Sequence, residues 1–335
     1  MGLFGKKDKL QIITFQTYGT ESHLYLRGRA LEDEEIDLSE KGFFRLLRNS
    51  WKRFDTDEIR NTPIRIQLAD GRVINEVTDK DGYFRIDRPL QNLECSVADK
   101  GWLNFEISYG DTSIKRDMLL QDRFLGEMLI PSKNADFGVI SDIDDTILHT
   151  GVVSLLKWRV ILNTVFRGAN MRRPLEGAAN FYHLLHRGKS GKKANPIFYV
   201  SHSPWNLYRY LELFLKTNGF PKGPILLRSM SSVFHRKTRL EKPQKQKEIV
   251  NIFKTYPDLS FILIGDAGEY DADIFIEIAK AHPTQIAAIY LRTVHHQKRM
   301  RRVKSVFENY KCTPMFLIAK TEDAVIHARK HGFIQ

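Results

Sequence analysis

The sequence predicts an α/β fold: a doubly wound parallel-sheet domain preceded by an N-terminal β-sandwich. Three observations predict it. Residues 11–132 alternate apolar and polar positions between turn dipeptides. From residue 136 the apolar runs become short and continuous, and helical periods separate them. Polar clusters follow several of those runs, where sheets of this kind collect ligands at their strand ends.

After a short tail (residues 1–10), the alternation is clearest in "TPIRIQLADGRVINEVTDKDGYFRI". There Ile64, Ile66 and Leu68 share one face, and Phe84 and Ile86 oppose Tyr83 and Arg85. Asp70-Gly71 and Asp81-Gly82 stand where tight turns want them. "HLYLRGRAL" and "LECSVADKGWLNFEISYGD" continue the pattern on either side, as several short strands of a sandwich would. One helical insertion, "LSEKGFFRLLRNSWKRFD" (38–55), puts Phe44, Leu47, Trp51 and Phe54 on one face and Arg45, Arg48 and Lys52 on another. It reads either as a helix packed on its own domain or as a membrane-surface helix.

In the second region (136–335), strands are expected at "FGVIS" (137–141), "PIFYV" (196–200), "PILL" (224–227), "FILI" (261–264), "IAAIYL" (286–291) and "MFLI" (315–318). Helical patterns at 174–187, 205–217, 245–255 and 271–281 lie between them. The polar clusters are Asp142-Ile-Asp144-Asp145-Thr146, Ser201-His202-Ser203-Pro204 and Gly265-Asp266-Ala-Gly-Glu269-Tyr-Asp271, with Lys245 opening a helix. Carboxylates crowded behind a buried strand repel one another unless a cation or a proton offsets them. A calcium loop does not account for the first cluster, because Ile147 stands where Gly is needed and Val153 where Glu is needed. Taken singly, each cluster is equally well a cap, a turn or a solvated lysine.

Their order resembles the four motifs of the haloacid-dehalogenase superfamily: Asp-x-Asp-x-Thr, Ser or Thr, Lys, and Gly-Asp with a further Asp. The wording of "GVISDIDDTILHTGV", "NPIFYVSHSPWNLY", "GPILLRS" and "YPDLSFILIGDAGEYDADIF" resembles the catalytic domain of the actin-patch-associated phosphatidate phosphatase family. "TFQTYGTESHLYLRGRAL" and "TDKDGYFRI" are similar to the N-terminal part of its bacterial members. The chain departs from the family pattern at His202, Ala267, Ser229 and Asp271-Ala-Asp273-Ile-Phe275.

The resemblance implies a phosphatase that passes through an aspartyl-phosphate. Asp142 would attack phosphorus, and Asp144 would protonate the leaving alkoxide and then activate water. Mg²⁺ would be held by Asp142, Asp266 and the backbone carbonyl of Asp144, with Asp271 orienting metal waters or Lys245. Ser201, with Thr146, His202 and Ser203, would contact the phosphoryl group. Ser203 is expected to cap the following helix, with Pro204 in its first turn. Lys245 is chosen over Lys242 and Lys247 because it lies twelve residues before Pro257, the family's spacing.

Only about 27 residues separate the first strand from its next core helix, so a large cap domain is not expected. "SLLKWRVILNTVF", with Leu155, Trp158 and Ile161, reads as a packed helix or as a lipid-facing one. The net charge of +12 calls for an anionic partner, and the basic stretch "RTVHHQKRMRRVK" (292–304) reads as a solvated face or as a holder of acidic lipid or nucleic acid. Two cysteines, Cys95 and Cys312, make no paired motif, and MGLFGKKDKL has neither a secretory core nor the Ser or Thr that myristoylation wants at position 6. The expectation is a cytoplasmic enzyme, peripheral at the inner membrane face, that hydrolyses phosphatidate. Other phosphomonoesters, including nucleic-acid ends and phosphoproteins, or a non-catalytic lipid-binding role, are the alternatives. "GKSGKK" (188–193) fails the phosphate-loop spacing, and His183, His186, His295 and His296 lack further metal partners.

Overall fold

A computed structural model describes residues 9–33, 59–93, 97–98, 101–110, 123–143, 177–228, 242–268, 270–294, 297–310 and 312–335. The chain divides into two units, Met1–Ile130 and Pro131–Gln335. The insertion at 38–55, the segment 154–166, Cys95, His295 and His296 lie outside the described residues.

The first unit holds β1 (Lys9–Phe15), β2 (Thr17–Tyr18), β3 (His23–Asp33), β4 (Pro63–Leu68), β5 (Val73–Val77), β6 (Tyr83–Pro89), β7 (Val97–Ala98), β8 (Trp102–Tyr109) and β9 (Phe124–Leu129). They form a three-stranded antiparallel sheet, β1-β3-β6, and a second sheet ordered β2-β9-β8-β4-β5, with β7 on β8. In β4 strict alternation gives one buried face, in an exposed-buried pattern. Ile12, Leu26 and Phe84 from one sheet join Ile66, Phe105 and Met128 from the other in a single apolar cluster. One turn sets the β4–β5 register and another carries the chain from β5 to β6 of the other sheet. At Gly71, φ is 87° and the Arg72 N–H donates to Asp70 Oδ1 at 2.9 Å. At Gly82, φ is 74°, and Asp79 Oδ1 accepts from the N–H groups of Asp81 and Tyr83.

The second unit contains β10 (Gly138–Asp142), α1 (Ala178–Arg187), β11 (Ile197–Pro204), α2 (Tyr208–Thr217), β12 (Ile225–Arg228), α3 (Gln244–Thr255), β13 (Phe261–Asp266), α4 (Asp271–Ala281), β14 (Ile286–Arg292), α5 (Gln297–Asn309), β15 (Met315–Ile318) and α6 (Thr321–Lys330). Its six-stranded sheet runs β12-β11-β10-β13-β14-β15, and every pairing is parallel. All residues of β10 and β13 are buried, so both faces of the centre are covered, which is why these segments read as continuous apolar runs. The chain builds outward from β10 through β11 to β12, then returns to the other side of β10 with β13. The strand order therefore reverses between β10 and β13, the switch point at which such sheets leave a crevice beyond their carboxyl ends.

One expectation needs correction. Ser203 does not cap a helix; it belongs to β11, and Pro204 stands at the cap position (φ −76°, ψ 155°) of a 3₁₀ turn, Trp205–Leu207, that precedes α2. Two constraints act together here. Proline fixes φ and cannot extend the ladder as a donor, and the β11–β12 register slips between Val200 and Pro204. The chain leaves the strand as a bulge, and the expected helix at 205–217 starts with a tighter turn.

The remaining histidines and the Gly-Lys segment have structural roles. His183 Nε2 lies 2.8 Å from the Gly219 carbonyl oxygen and His186 Nδ1 2.8 Å from that of Asn195. Residues 188–193 form a turn with Gly188 and Gly191 at positive φ, and Lys193 pairs with Asp136 at 2.8 Å.

Candidate active site

Asp142 ends β10 and Asp266 ends β13, and because these strands are neighbours in parallel, both carboxylates emerge on the same edge. Asp271 opens α4 and Lys245 lies in the first turn of α3. All four side chains are buried: Asp142 and Asp266 are 0% exposed, Asp271 and Lys245 1%. Carboxylate oxygens of Asp142, Asp266 and Asp271 lie within 4.8 Å of one another.

The two helices place their charged residues by ordinary amphipathic spacing. On α3 the buried stripe is Lys245, Ile249, Ile252 and Phe253; on α4 it is Asp271, Phe275 and Ile278. In each helix the first member of the stripe is charged and points to the carboxyl edge of the sheet. Burying a charge this way is costly unless it is paired and hydrogen-bonded. Lys245 Nζ donates to Asp142 Oδ1 at 2.7 Å and also to Asp271 Oδ1. Burial alone would push the Lys245 ammonium down, but the carboxylates of Asp142 and Asp271 overcome it and hold it well above the ordinary lysine range.

The loop from Asp266 to Asp271 is pinned at both ends. The Asp266 N–H donates to Asp271 Oδ2 at 3.3 Å, and the Gly268 N–H donates to Asp266 Oδ1. Gly265 is required by this packing, since a Cβ there would meet Asp271 Oδ2 at 2.5 Å. Arg299 of α5 donates from Nη1 to the Gly268 carbonyl at 2.6 Å, closing the loop from outside.

Beneath Asp142, the Ser141 hydroxyl donates to the Asp142 carbonyl at 2.8 Å and lies 2.5 Å from the Tyr182 hydroxyl. With its single proton used toward Asp142, Ser141 accepts from Tyr182. Burial raises the Tyr182 phenol above the ordinary range, so it stays protonated and able to donate.

On the neighbouring strand, Val200 is level with Asp142, so Ser201 stands one residue beyond it, within the β11 bulge. Ser201 Oγ accepts the Ser203 N–H at 2.9 Å, a local bond that fixes the turn and the position of the hydroxyl oxygen. Ser201 and Ser203 are buried and His202 is half-buried. Asp144 and Thr146 lie outside the described residues.

The donor set suits a hard divalent cation. Three buried carboxylates against one ammonium give this cluster a net charge of −2 when all are ionised, the charge one such ion balances. Oxygen donors only, converging at a strand-end crevice, suit a hard cation rather than a softer metal.

Of the residues expected from sequence, the structure therefore gathers Asp142, Asp266, Asp271 and Lys245, and sets Ser201, His202 and Ser203 at the end of the next strand. Sequence reasoning missed Ser141, Tyr182 and Arg299. A polar residue at a position buried on both sides was a signal for Ser141. Nothing local marks Tyr182, and Arg299 is marked only as one cation of the basic stretch 292–304; the two arrive from separate helices.

Comparisons with known proteins point to one family. Residues 137–293 match the family model "Phosphatidate phosphatase APP1, catalytic domain". Phosphatidate phosphatase APP1 of Saccharomyces cerevisiae is 34% identical over 181 residues, covering 51% of this chain and 30% of the yeast protein. An uncharacterized protein of Schizosaccharomyces pombe is 25% identical over 223 residues, covering 66% of this chain and 34% of its own length. The chain thus spans about a third of the length of these relatives. A ferredoxin-NADP⁺ reductase from Plasmodium falciparum aligns over 95% of this chain and 98% of its own, at 9% identity and a TM-score of 0.18, which carries no argument about fold.

Proposed function

Because its α/β domain belongs to the phosphatidate phosphatase APP1 catalytic-domain family, we propose that this protein is a Mg²⁺-dependent phosphatase that hydrolyses phosphatidate to diacylglycerol and phosphate. The observation that carries the reading is the buried Asp142–Lys245–Asp271 bridge beside Asp266, at the switch point of a parallel sheet. We read the domain as haloacid-dehalogenase-like and the two-sheet unit before it as a β-sandwich.

In this mechanism Asp142 attacks phosphorus, the phosphoryl–oxygen bond to the glycerol breaks, and an aspartyl-phosphate forms. One hard displacement becomes two easier ones. Lys245 fixes the Asp142 carboxylate through Oδ1 and supplies a permanent positive charge next to the developing negative charge. Asp271 shares that lysine and receives the Asp266 N–H, so it holds both partners in position without touching substrate. Ser141 and Tyr182 anchor the backbone on which Asp142 is mounted. Ser201 turns its hydroxyl toward the phosphoryl oxygens, and Asp144 donates the proton to the departing alkoxide and later removes one from water. Mg²⁺, held by Asp142, Asp266 and the Asp144 carbonyl, would offset the repulsion between carboxylate and anionic phosphate.

The test is phosphate release from phosphatidate in mixed micelles, phosphorylated oligonucleotides and small phosphomonoesters, with Mg²⁺ or EDTA, alongside Asp142→Asn. Turnover of phosphatidate that needs Mg²⁺ and Asp142 supports the reading. Turnover of oligonucleotides or small esters alone moves the substrate elsewhere while keeping the chemistry. No turnover, with retained lipid binding, makes the domain a non-catalytic module.

A further inference from the structure

We propose that α5, together with Tyr270 beside it, is the face by which this protein docks on an anionic lipid bilayer. Strand β14 ends at Arg292, level with Asp266 of β13, so the helix that follows begins on the edge that carries the acidic cluster. Within Gln297–Asn309 stand five cations, Lys298, Arg299, Arg301, Arg302 and Lys304, against one carboxylate, Glu308. The helix turns Val303 inward, fully buried, and leaves Arg301 and Lys304 exposed.

Two of the cations attach the helix to the site. Arg299 donates to the Gly268 carbonyl at 2.6 Å, and Arg302 pairs with Asp273 at 2.8 Å. The Arg302 guanidinium carbon also lies 5.6 Å from the centre of the Tyr270 ring, and Tyr270 is 71% exposed although it directly precedes the buried Asp271. An exposed tyrosine against an arginine, flanked by further cations, combines an amphipathic ring suited to headgroup depth with charges that attract acidic headgroups.

The choice of a bilayer over another polyanion rests on the proposed substrate. A membrane that contains phosphatidate is anionic, and its headgroup is reached from outside. Among the described residues no helix is long and apolar enough to cross a membrane. Docking by α5 sets the same edge of the sheet against the headgroups that carries Asp142 and Asp266.

The test uses the full chain and vesicles of phosphatidylcholine, alone or with phosphatidylglycerol. The protein is expected to sediment with the anionic vesicles only, and less at high salt. R301Q/K304Q should weaken that partition roughly thirtyfold, at the usual contribution of a surface cation. K216E/K254E, which changes exposed lysines in the last turns of α2 and α3, should retain nearly all of it, although it alters the net charge more. Hydrolysis of water-soluble short-chain phosphatidate should be unchanged in R301Q/K304Q. Equal partition of R301Q/K304Q and wild type, equal loss in the K216E/K254E control, or no wild-type partition overturns the docking face. Tighter, Arg301-dependent binding to a single-stranded oligonucleotide overturns it in favour of nucleic acid. Vesicle binding that depends on Arg301 and Lys304, without hydrolysis of the short-chain lipid, leaves the docking face standing and removes the substrate reading.

Discussion

Among the described residues, the buried polar side chains of the two-sheet unit are Thr14, Thr17, Arg29, Thr62 and Thr78, whereas the α/β unit buries Asp142, Asp266, Asp271 and Lys245 around one point. The first group serves the chain itself. Thr14 Oγ1 donates to the Leu125 carbonyl at 2.6 Å, Thr78 Oγ1 to that of Ile59 at 2.7 Å, and Arg29 Nε to that of Asp81 at 3.0 Å. Such bonds close strand ends and contribute about 1 kcal/mol each. The second group sets like charges within 4.8 Å of one another, an arrangement that replacement by apolar groups would often stabilise. In the first unit these bonds tie the chain to itself. The other keeps a destabilising cluster, as sites built for chemistry do.

The largest expected effect breaks that contrast at Asp142. Asp142→Asn should lower phosphate release at least about a thousandfold, as removal of a nucleophile does. Its unfolding free energy in EDTA should equal or exceed that of wild type, because one buried negative charge is gone. A stability loss comparable to a core cavity would show that Asp142 is mainly structural.

Lys245→Met should act in the opposite way. It leaves Asp142 and Asp271 facing each other without their shared cation, at a cost of about 3–5 kcal/mol in urea unfolding. Adding Asp271→Asn to the variant should recover part of that loss. If the double variant is no more stable than Lys245→Met, the two carboxylates are not coupled through the lysine.

In the two-sheet unit, Phe105→Ala removes a side chain 2% exposed from the apolar cluster and should cost about 3–4 kcal/mol. Phosphate release per folded molecule should not change, since every residue of the acidic cluster lies in the other unit. A matched fall in turnover would blur the distinction between the units.

The smallest effect is a pH dependence. His327 on α6 lies 2.8 Å through Nδ1 from the Tyr290 hydroxyl, and its ring stacks 3.8 Å from His331. Desolvation, with the charges of His331 and Lys330, lowers its pKa from 6.5 to about 4. As pH falls below 6.5 the unfolded chain takes up a proton before the folded one does, so stability present above 6.5 is lost down to about 4. His327→Gln should flatten that part of the stability–pH curve; an unchanged slope would remove His327 as its source.

Much of the contrast between the two units is legible in the amino-acid sequence itself. Alternation at Ile64, Ile66 and Leu68 and unbroken apolar runs at 137–141 and 261–264 distinguish one-faced from two-faced burial, because the side-chain period of a strand is two. The positions of Asp142 and Asp266 follow from strand ends. Helical position alone does not choose Lys245 from the sequence; only the structure shows that it shares a buried stripe with Ile249, Ile252 and Phe253 while Lys247 falls on the exposed face. Other features are not legible there. Ser203 reads as a cap because cap chemistry is local, whereas the β11 bulge depends on pairing with β12. Arg299 meets Gly268 and Tyr182 meets Ser141 only through tertiary packing, which no periodicity encodes.

The proposed chemistry needs a single divalent ion shared by the strand-end carboxylates, and titration with Mn²⁺, observed by its paramagnetic signal, tests this directly. One site per chain is predicted, competed by Mg²⁺ and lost in both Asp142→Asn and Asp266→Asn. Stoichiometric binding that persists in both variants, or none in the wild type, would contradict it.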